Sequence, residues 1–195
     1  GKMGIGNWLV QVDSDEYFLD FPKFAEDLRG HNRFLKDPEK NRVQICAFLI
    51  NLFKYVEGGV LYVEQARRQK IATNYPDYKT GRNTKNRLIY TKNLLLHESV
   101  SRSEEEVLTK FRNWGHSDEI DPEEFLKKWR AVNQNNYKDL RDFFYLEPRI
   151  WKKLGYVKGN GIAEITRNLD PDSMMPSAFF LWKKNLGQRI KFLFK

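Results

Sequence analysis

The 195-residue sequence predicts an α+β fold, mostly helical, with a small β-hairpin, and three observations lead to that expectation. Two proline-primed helix starts, Asp37-Pro38-Glu39-Lys40 and Asp121-Pro122-Glu123-Glu124, each stand shortly before a run of apolar residues. A third start sets Glu104, Glu105 and Glu106 behind Ser101 or Ser103, which places acids at the positive end of a helix. Finally, two alternating runs flank Lys158-Gly159-Asn160-Gly161, the pattern of a hairpin.

Taken in order, Trp8-Leu9-Val10-Gln11-Val12 is a short β-like run, and Asp13 to Glu16 make a polar turn. Residues 22–29 read as a short helix after Asp20-Pro22, with Phe24, Ala25 and Leu28 on one face. From the Asp37 cap a helix is expected to reach about Val56. Its apolar residues Val43, Ile45, Cys46, Leu49, Ile50, Leu52, Phe53 and Val56 cover more than half its girth, which assigns it to a core. Gly58-Gly59 ends it, and residues 60–70 form a second expected helix that turns Val63 and Ala66 inward and carries Arg67, Arg68 and Lys70 at its far end. Helix, glycine turn and shorter basic helix together outline a helix-turn-helix.

Residues 73–86 are rich in Asn, Thr, Tyr, Pro, Gly and Lys and form a loop, whereas residues 87–96 suit either strands or a helix. The helix begun near Ser103 carries Val107, Leu108 and Phe111 and closes at Gly115; the one begun at Asp121 buries Phe125, Leu126, Trp129 and Val132. Asn133-Gln134-Asn135-Asn136 marks a boundary between an N-terminal lobe, 3–132, and a C-terminal lobe, 137–195. Residues 137–154 are helical in character, interrupted at Pro148; Asp170-Pro171 and Pro176 mark a loop. The last 18 residues form a basic helix with Phe179, Leu181, Trp182, Leu186, Ile190 and Leu193 available for packing.

Helix (149–154), strand (156–157), glycine turn (159–161) and strand (162–166) follow one another in an order that resembles the end of a winged-helix domain. The resemblance extends over only about 20 residues, and it implies winged-helix-like elements in one or two lobes. It also implies that Lys152, Lys153, Lys158 and Arg167 place positive charge on the helix and around the wing, where phosphates are contacted.

Charge gives the functional expectation. The chain has a net charge of +8, and residues 67–92 alone hold eight bases against one acid, Asp77. A block of this kind lowers the free energy of a nearby polyanion, which scattered lysines do not. Candidate phosphate contacts are Arg67, Arg68, Lys70, Lys79, Arg82, Lys85 and Arg87, with Lys152, Lys153 and Lys158 from the wing. Tyr78 stands for the tyrosines threaded through the block (Tyr75, Tyr78, Tyr90), which suit stacking, and the intervening Asn and Thr side chains suit phosphates and base edges. The expected partner is nucleic acid, and duplex DNA rather than RNA, because a helix-turn-helix reads duplexes. Two rival readings are an interaction module that sets the block against an acidic partner, and an accessory domain of a larger DNA-processing enzyme. Acidic stretches at 13–27 (net −5) and 98–124 (nine acids, three bases) offer internal counterparts to the block.

Enzyme signatures are weak, and no catalytic activity, cofactor or metal is expected. Asp77-x-Lys79 is one acid-lysine pair, His31, His97 and His116 are widely spaced, and a single cysteine cannot build a zinc finger. Cys46 lies in an apolar run and reads as a buried thiol. No stretch is long enough to span a membrane, the first residues lack the layout of a signal peptide, and an intracellular location, cytoplasmic or nuclear, is expected. The terminal segment from Trp182 to Lys195 has five bases and no acid. It suits a second phosphate-contacting face, a membrane-surface helix or a partner-binding helix, and its abrupt end suggests a longer natural chain.

Overall fold

The structure, a computed structural model, describes residues 6–113, 121–141 and 151–193. The expectation of a mostly helical chain is overturned: the described residues form seven antiparallel strands and six α-helices. The strands are β1 (Leu9–Val10), β2 (Glu16–Phe18), β3 (Val43–Val56), β4 (Gly59–Val63), β5 (Arg67–Thr73), β6 (Arg87–His97) and β7 (Leu154–Lys158). They hydrogen-bond in the order β1-β5-β3-β4-β7, with β6 beside β3 and β2 beside β6. The helices are α1 (Phe21–Gly30), α2 (Glu104–Arg112), α3 (Pro122–Ala131), α4 (Ile162–Asn168), α5 (Pro171–Met174) and α6 (Ala178–Leu193).

Both helices expected between residues 37 and 70 are strands. The supposed helix 37–56 is a short turn followed by the fourteen-residue strand β3. Asp37 does cap, accepting the Lys40 amide on Oδ1 (3.3 Å) and the Asn41 amide on its carbonyl (2.9 Å), but only one turn follows. Residues 43–53 are buried without a break. A strand covered on both faces reads as a continuous apolar run, which periodicity cannot separate from a buried helix. The second supposed helix is β4 and the start of β5, so no helix-turn-helix exists at 37–70.

The winged-helix resemblance fails as well. Trp151–Lys153 has no regular structure, while residues 149–150 lie outside the described residues. β7 pairs with β4 along Leu154–Lys158, and residues 162–168 are helix α4, not a return strand. Ile162, Ile165 and Leu169 carry helical spacing, and Ile165 and Leu169 are buried. Helix starts at Asp20, Ser103 and Asp121 are present as expected, the second as a full capping box with Glu106. Gly115, Trp114 and Pro148 fall outside the described residues. Of the helix expected at 137–154, the described residues show a 3-10 turn, Tyr137–Asp139, and the beginning of β7, while residues 142–150 lie outside the described residues.

The chain divides into two compact units, each assembled from separate segments. The first contains described residues 6–49, 67–95 and 175–193. Its core is Phe24 and Leu28 of α1 against Ile45, Ala47 and Leu49 of β3, Ile71 and Ala72 of β5, and Leu95 of β6. Phe18 stacks on Phe24 with ring centroids 4.4 Å apart. Helix α6 covers an edge of β6 with two side chains: Gln188 Oε1 accepts the Leu88 amide (3.1 Å), and Asn185 accepts the Tyr90 amide (2.8 Å) while donating to the Tyr90 carbonyl (2.9 Å). Spaced i, i+3 on a helix, the two amides reach alternate residues of the strand and replace a neighbouring strand's hydrogen bonds.

The second unit contains described residues 50–66, 96–113, 121–141 and 151–174. Phe53, Leu61, Val63, Val107, Phe111, Phe125, Leu126, Trp151 and Leu154 pack together, with Trp129 donating Nε1 to the Phe53 and Val100 carbonyls. Lys54 Nζ donates to the carbonyls of Trp129 (2.8 Å), Arg130 (3.2 Å) and Val132 (2.8 Å), placing a cation at the negative end of α3. In the β4–β7 pair, Gly155 stands opposite Tyr62 and Gly59 opposite Lys158. A Cβ at Gly155 would lie 2.5 Å from the Tyr62 ring, and one at Gly59 would meet the Val157 carbonyl and the Tyr156 ring. The glycines let two tyrosine rings lie flat across the strands. Gly155→Ala is expected to cost about 2 kcal/mol through overpacking; an unchanged denaturation midpoint would show that Tyr62 does not occupy this space.

Candidate nucleic-acid interface

The basic block lies in the first unit as strand β5, the loop 74–86 and most of strand β6. The loop is held by buried polar side chains. Asn74 is fully buried: its Oδ1 accepts the Val43 amide (2.8 Å), and its Nδ2 donates to the carbonyls of Phe34 (2.8 Å) and Asn41 (2.9 Å). Thr73 donates to the Val43 carbonyl, Asn86 to the Tyr75 carbonyl (2.8 Å), and Gln44 to the Arg82 carbonyl (2.6 Å) while accepting from Thr84. Thr80 and Asn83 bridge across Gly81, whose φ of +50° suits glycine. Four of the Asn and Thr residues that the sequence offered for base or phosphate contact, Thr73, Asn74, Thr84 and Asn86, therefore shape the loop instead. Thr73, Asn74 and Asn86 are buried and Thr84 is half-buried, and the hydrogen bonds of their side chains go to the protein's own groups.

Among the tyrosines, Tyr90 is buried and accepts from Arg68 Nη1 (2.9 Å), and Tyr75 lies beneath the Arg42 guanidinium, 3.9 Å from its centroid. Tyr78 is half-buried, and burial pushes its phenol above the usual range.

Arg82 is removed from the candidate set by an internal acid. Its guanidinium donates to both carboxylate oxygens of Glu16 (2.7 and 2.8 Å), to Asp13 (2.5 Å) and to the Gln11 carbonyl. The side chains of Arg82 and Glu16 are 10% and 1% exposed, so the pair is inside the protein. Burial raises the Glu16 carboxyl, but hydrogen bonds from Arg82, the Asp13 amide and Gln69, with the charge of Arg82, more than reverse this and leave it lowered. Part of the acidic stretch 13–27 thus meets the basic block, as its charge suggested. Lys79 pairs with Asp77 at 2.7 Å on the surface, a contact of little energetic weight.

The remaining cations gather on the same unit. Lys70, Lys85 and Lys191 line an open depression of about 270 Å³ together with Thr84, Asn86, Leu88, Gln188 and Phe192. Lys70 Nζ is held at 2.5 Å by neutral Asn83, and its pKa is lowered by burial and then by Arg68. Arg87 and Arg33 each set a guanidinium 4.9 Å from the centroid of the Phe34 ring. Burial lowers the Arg87 pKa, and the like charges of Arg189 and Arg33 lower it further. Among the described residues, no carboxylate lies within ion-pair distance of Lys70, Lys85, Arg87, Arg33, Arg189 or Lys191. Arg33, Arg189 and Lys191 were not among the sequence-derived candidates; only the basic composition of the last helix pointed toward two of them.

Arg67 and Arg68 lie at the exposed start of β5, opposite Leu49 and Phe48 of β3. Lys152, Lys153 and Lys158 belong to the second unit and are exposed, the first two just before β7 and the third at its end. Cys46 is buried opposite Lys70, and burial pushes its thiol up to about 12. Among the described residues no group of three or more His, Cys, Asp and Glu could hold a metal ion, and no helix is long and apolar enough to cross a membrane. No protein family, curated protein or solved structure matches this chain.

Arg82→Gln is expected to cost about 3 kcal/mol, because it leaves the Glu16 carboxylate buried without its cation. The Glu16 pKa is lower folded than unfolded, so its stabilisation is present above the unfolded value of about 4.3 and is lost as the pH falls through the folded one. Glu16→Gln should accordingly flatten the acid limb of the stability curve, measured by denaturant titration across acidic pH. The Cys46 thiol should resist alkylation at neutral pH until the protein is unfolded; modification at the rate of a free thiol would show that the centre of β3 is accessible.

Proposed function

We propose that this protein binds nucleic acid through its phosphates, using Lys70, Lys85 and Lys191 around the depression with Arg87, Arg33 and Arg189. The observation that carries this reading is the arginine trio. Arg33 and Arg87 share one aromatic ring, the like charges of Arg189 and Arg33 lower the Arg87 pKa, and among the described residues no carboxylate lies within ion-pair distance of the three. Like charges held together lower the stability of the free protein, and an arriving polyanion removes that cost while releasing its own counterions. Thr84, Asn86 and Gln188 line the depression between the lysines, although their side chains largely serve the protein's own backbone and neighbours.

The reading differs from the sequence expectation in how the nucleic acid is met. With Arg67, Arg68 and Lys70 on a strand, no recognition helix is presented by this segment, so the ground for preferring duplex DNA is gone. Contacts confined to phosphates give affinity and register but little sequence discrimination. Arg68, held by Tyr90, and Arg67 at the head of β5 extend the positive surface along that strand.

Four neutralised phosphates imply an affinity that drops about a hundredfold between roughly 50 and 200 mM salt. Fluorescence anisotropy with single-stranded DNA, duplex DNA and RNA of equal length measures that slope and ranks the three. Lys85→Glu combined with Lys191→Glu is expected to weaken binding by at least about tenfold and to flatten the salt slope, with thermal unfolding unchanged. A salt-independent affinity, or full binding by the double variant, would rule the reading out.

A further inference from the structure

Helix α6 carries two apolar faces, and only one of them is used by the protein. Leu181, Asn185, Gln188 and Phe192 recur at helical spacing on the inner side; Leu181 is buried, Phe192 half-buried, and both amides grip β6. On the opposite side Phe179, Trp182, Leu186, Ile190 and Leu193 recur at intervals of three and four residues. All five are open to solvent, at 70, 59, 39, 49 and 77% exposure. At 100° per residue they fall within a single stripe that no polar residue interrupts. Phe179 and Trp182 stack with centroids 5.9 Å apart, and Phe180 is also exposed, beneath Lys184. Isolated exposed apolar residues are ordinary, but a continuous stripe of this kind marks a surface that something covers.

Charge identifies the occupant. The helix has four bases, Lys183, Lys184, Arg189 and Lys191, and no acid. Arg189 flanks the stripe on one side and Lys183 on the other. A second copy of α6 laid against the stripe would therefore bring cations onto cations. A partner helix is set in register by flanking charges of both signs or by a polar residue within the seam, and the stripe has neither. A uniformly positive border needs no register, which suits a laterally uniform anionic surface. Trp and Phe beside Lys and Arg on one side of a helix are also the residues that settle at the boundary between headgroups and acyl chains.

We infer that the outer stripe of α6 seats the protein on the surface of an anionic lipid bilayer. Phe179, Trp182, Leu186, Ile190 and Leu193 enter the headgroup boundary, and Lys183 at the border of the stripe reaches acidic headgroups. The sixteen-residue helix lies in the plane of the bilayer and does not cross it. This surface is separate from the phosphate-contacting depression, which uses the other side of the same helix through Gln188 and Lys191.

Flotation of the full chain with vesicles of phosphatidylcholine alone, and with about 30% phosphatidylserine at roughly 0.1 M salt, tests the assignment. Association with the anionic vesicles and little with the neutral ones is expected. Trp182→Ser combined with Leu186→Ser should reduce the floated fraction at least about tenfold while leaving thermal unfolding and nucleic-acid affinity unchanged, since both side chains are exposed, lie outside the depression and are replaced without adding charge beside Arg189. Lys183→Glu should weaken binding to the anionic vesicles alone. Failure to float with anionic vesicles, or equal flotation of the double variant, overturns the inference. So does a concentration-dependent dimer that the double variant abolishes, because the stripe then belongs to a second copy of the chain.

Discussion

Eleven consecutive buried residues in β3, from Val43 to Phe53, impose the constraint on which the structure depends. Each has a backbone donor and acceptor that water cannot reach, so each must find a partner within the protein. The strand meets this by pairing with β5 through Gln44–Leu49, with β4 through Leu52–Val56, and with β6. Its polar side chains are paired in the same way: Gln44 organises the loop through Arg82 and Thr84, and Asn51 contacts His97 at 2.9 Å. In this sense the loop that carries the cations is an outgrowth of the polar chemistry of β3.

The candidate surface follows from that anchoring. A loop with eight internal side-chain and backbone attachments among Gln44, Thr73, Asn74, Tyr75, Thr84 and Asn86 does not need its lysines for its shape. Arg82 is the exception, since it closes the loop onto Asp13 and Glu16 from the inside. The distinction separates two kinds of basic residue in one block. A buried arginine with two carboxylates is structural, whereas Lys85, exposed with no carboxylate within ion-pair distance among the described residues, is available to a ligand. Charge reversal at Arg82 would therefore report on folding rather than on binding.

How much of this was legible in the sequence differs by element. The caps at Asp20, Ser103 and Asp121 were readable because a short polar side chain before a proline or a glutamate-rich turn has few other uses. Asp37-Pro38 carries the same signal, yet the residues after it have no exposed face to give a helix. The Lys-Gly-Asn-Gly turn was readable as a turn, but not what it joins: β7 finds its partner in β4, 91 to 99 residues earlier in the chain, which local pattern cannot show. At the site, Lys70, Lys85 and Arg87 were visible as a cluster in sequence, while Arg33 and Arg189 join Arg87 only through the fold. The Asn and Thr side chains looked free for a ligand because sequence does not reveal burial.

Unrelieved like charge is the feature on which the proposed function of the basic surface rests. A protein that needed only solubility could distribute its cations, and one that needed only stability would place a carboxylate beside Arg87. Instead the charges that act on this half-buried arginine are those of two further arginines, and several acids of the same unit are directed elsewhere: Asp13 and Glu16 to Arg82, Asp77 to Lys79, and Asp27 to Asn93. The Phe34 ring, flanked by two guanidinium groups, offsets part of the repulsion through its electron-rich faces without neutralising any charge. Arrangements that break a local rule while the surrounding structure holds them in place are expected at functional or strained sites, and in the proposed reading a bound phosphate supplies the partner that folding does not.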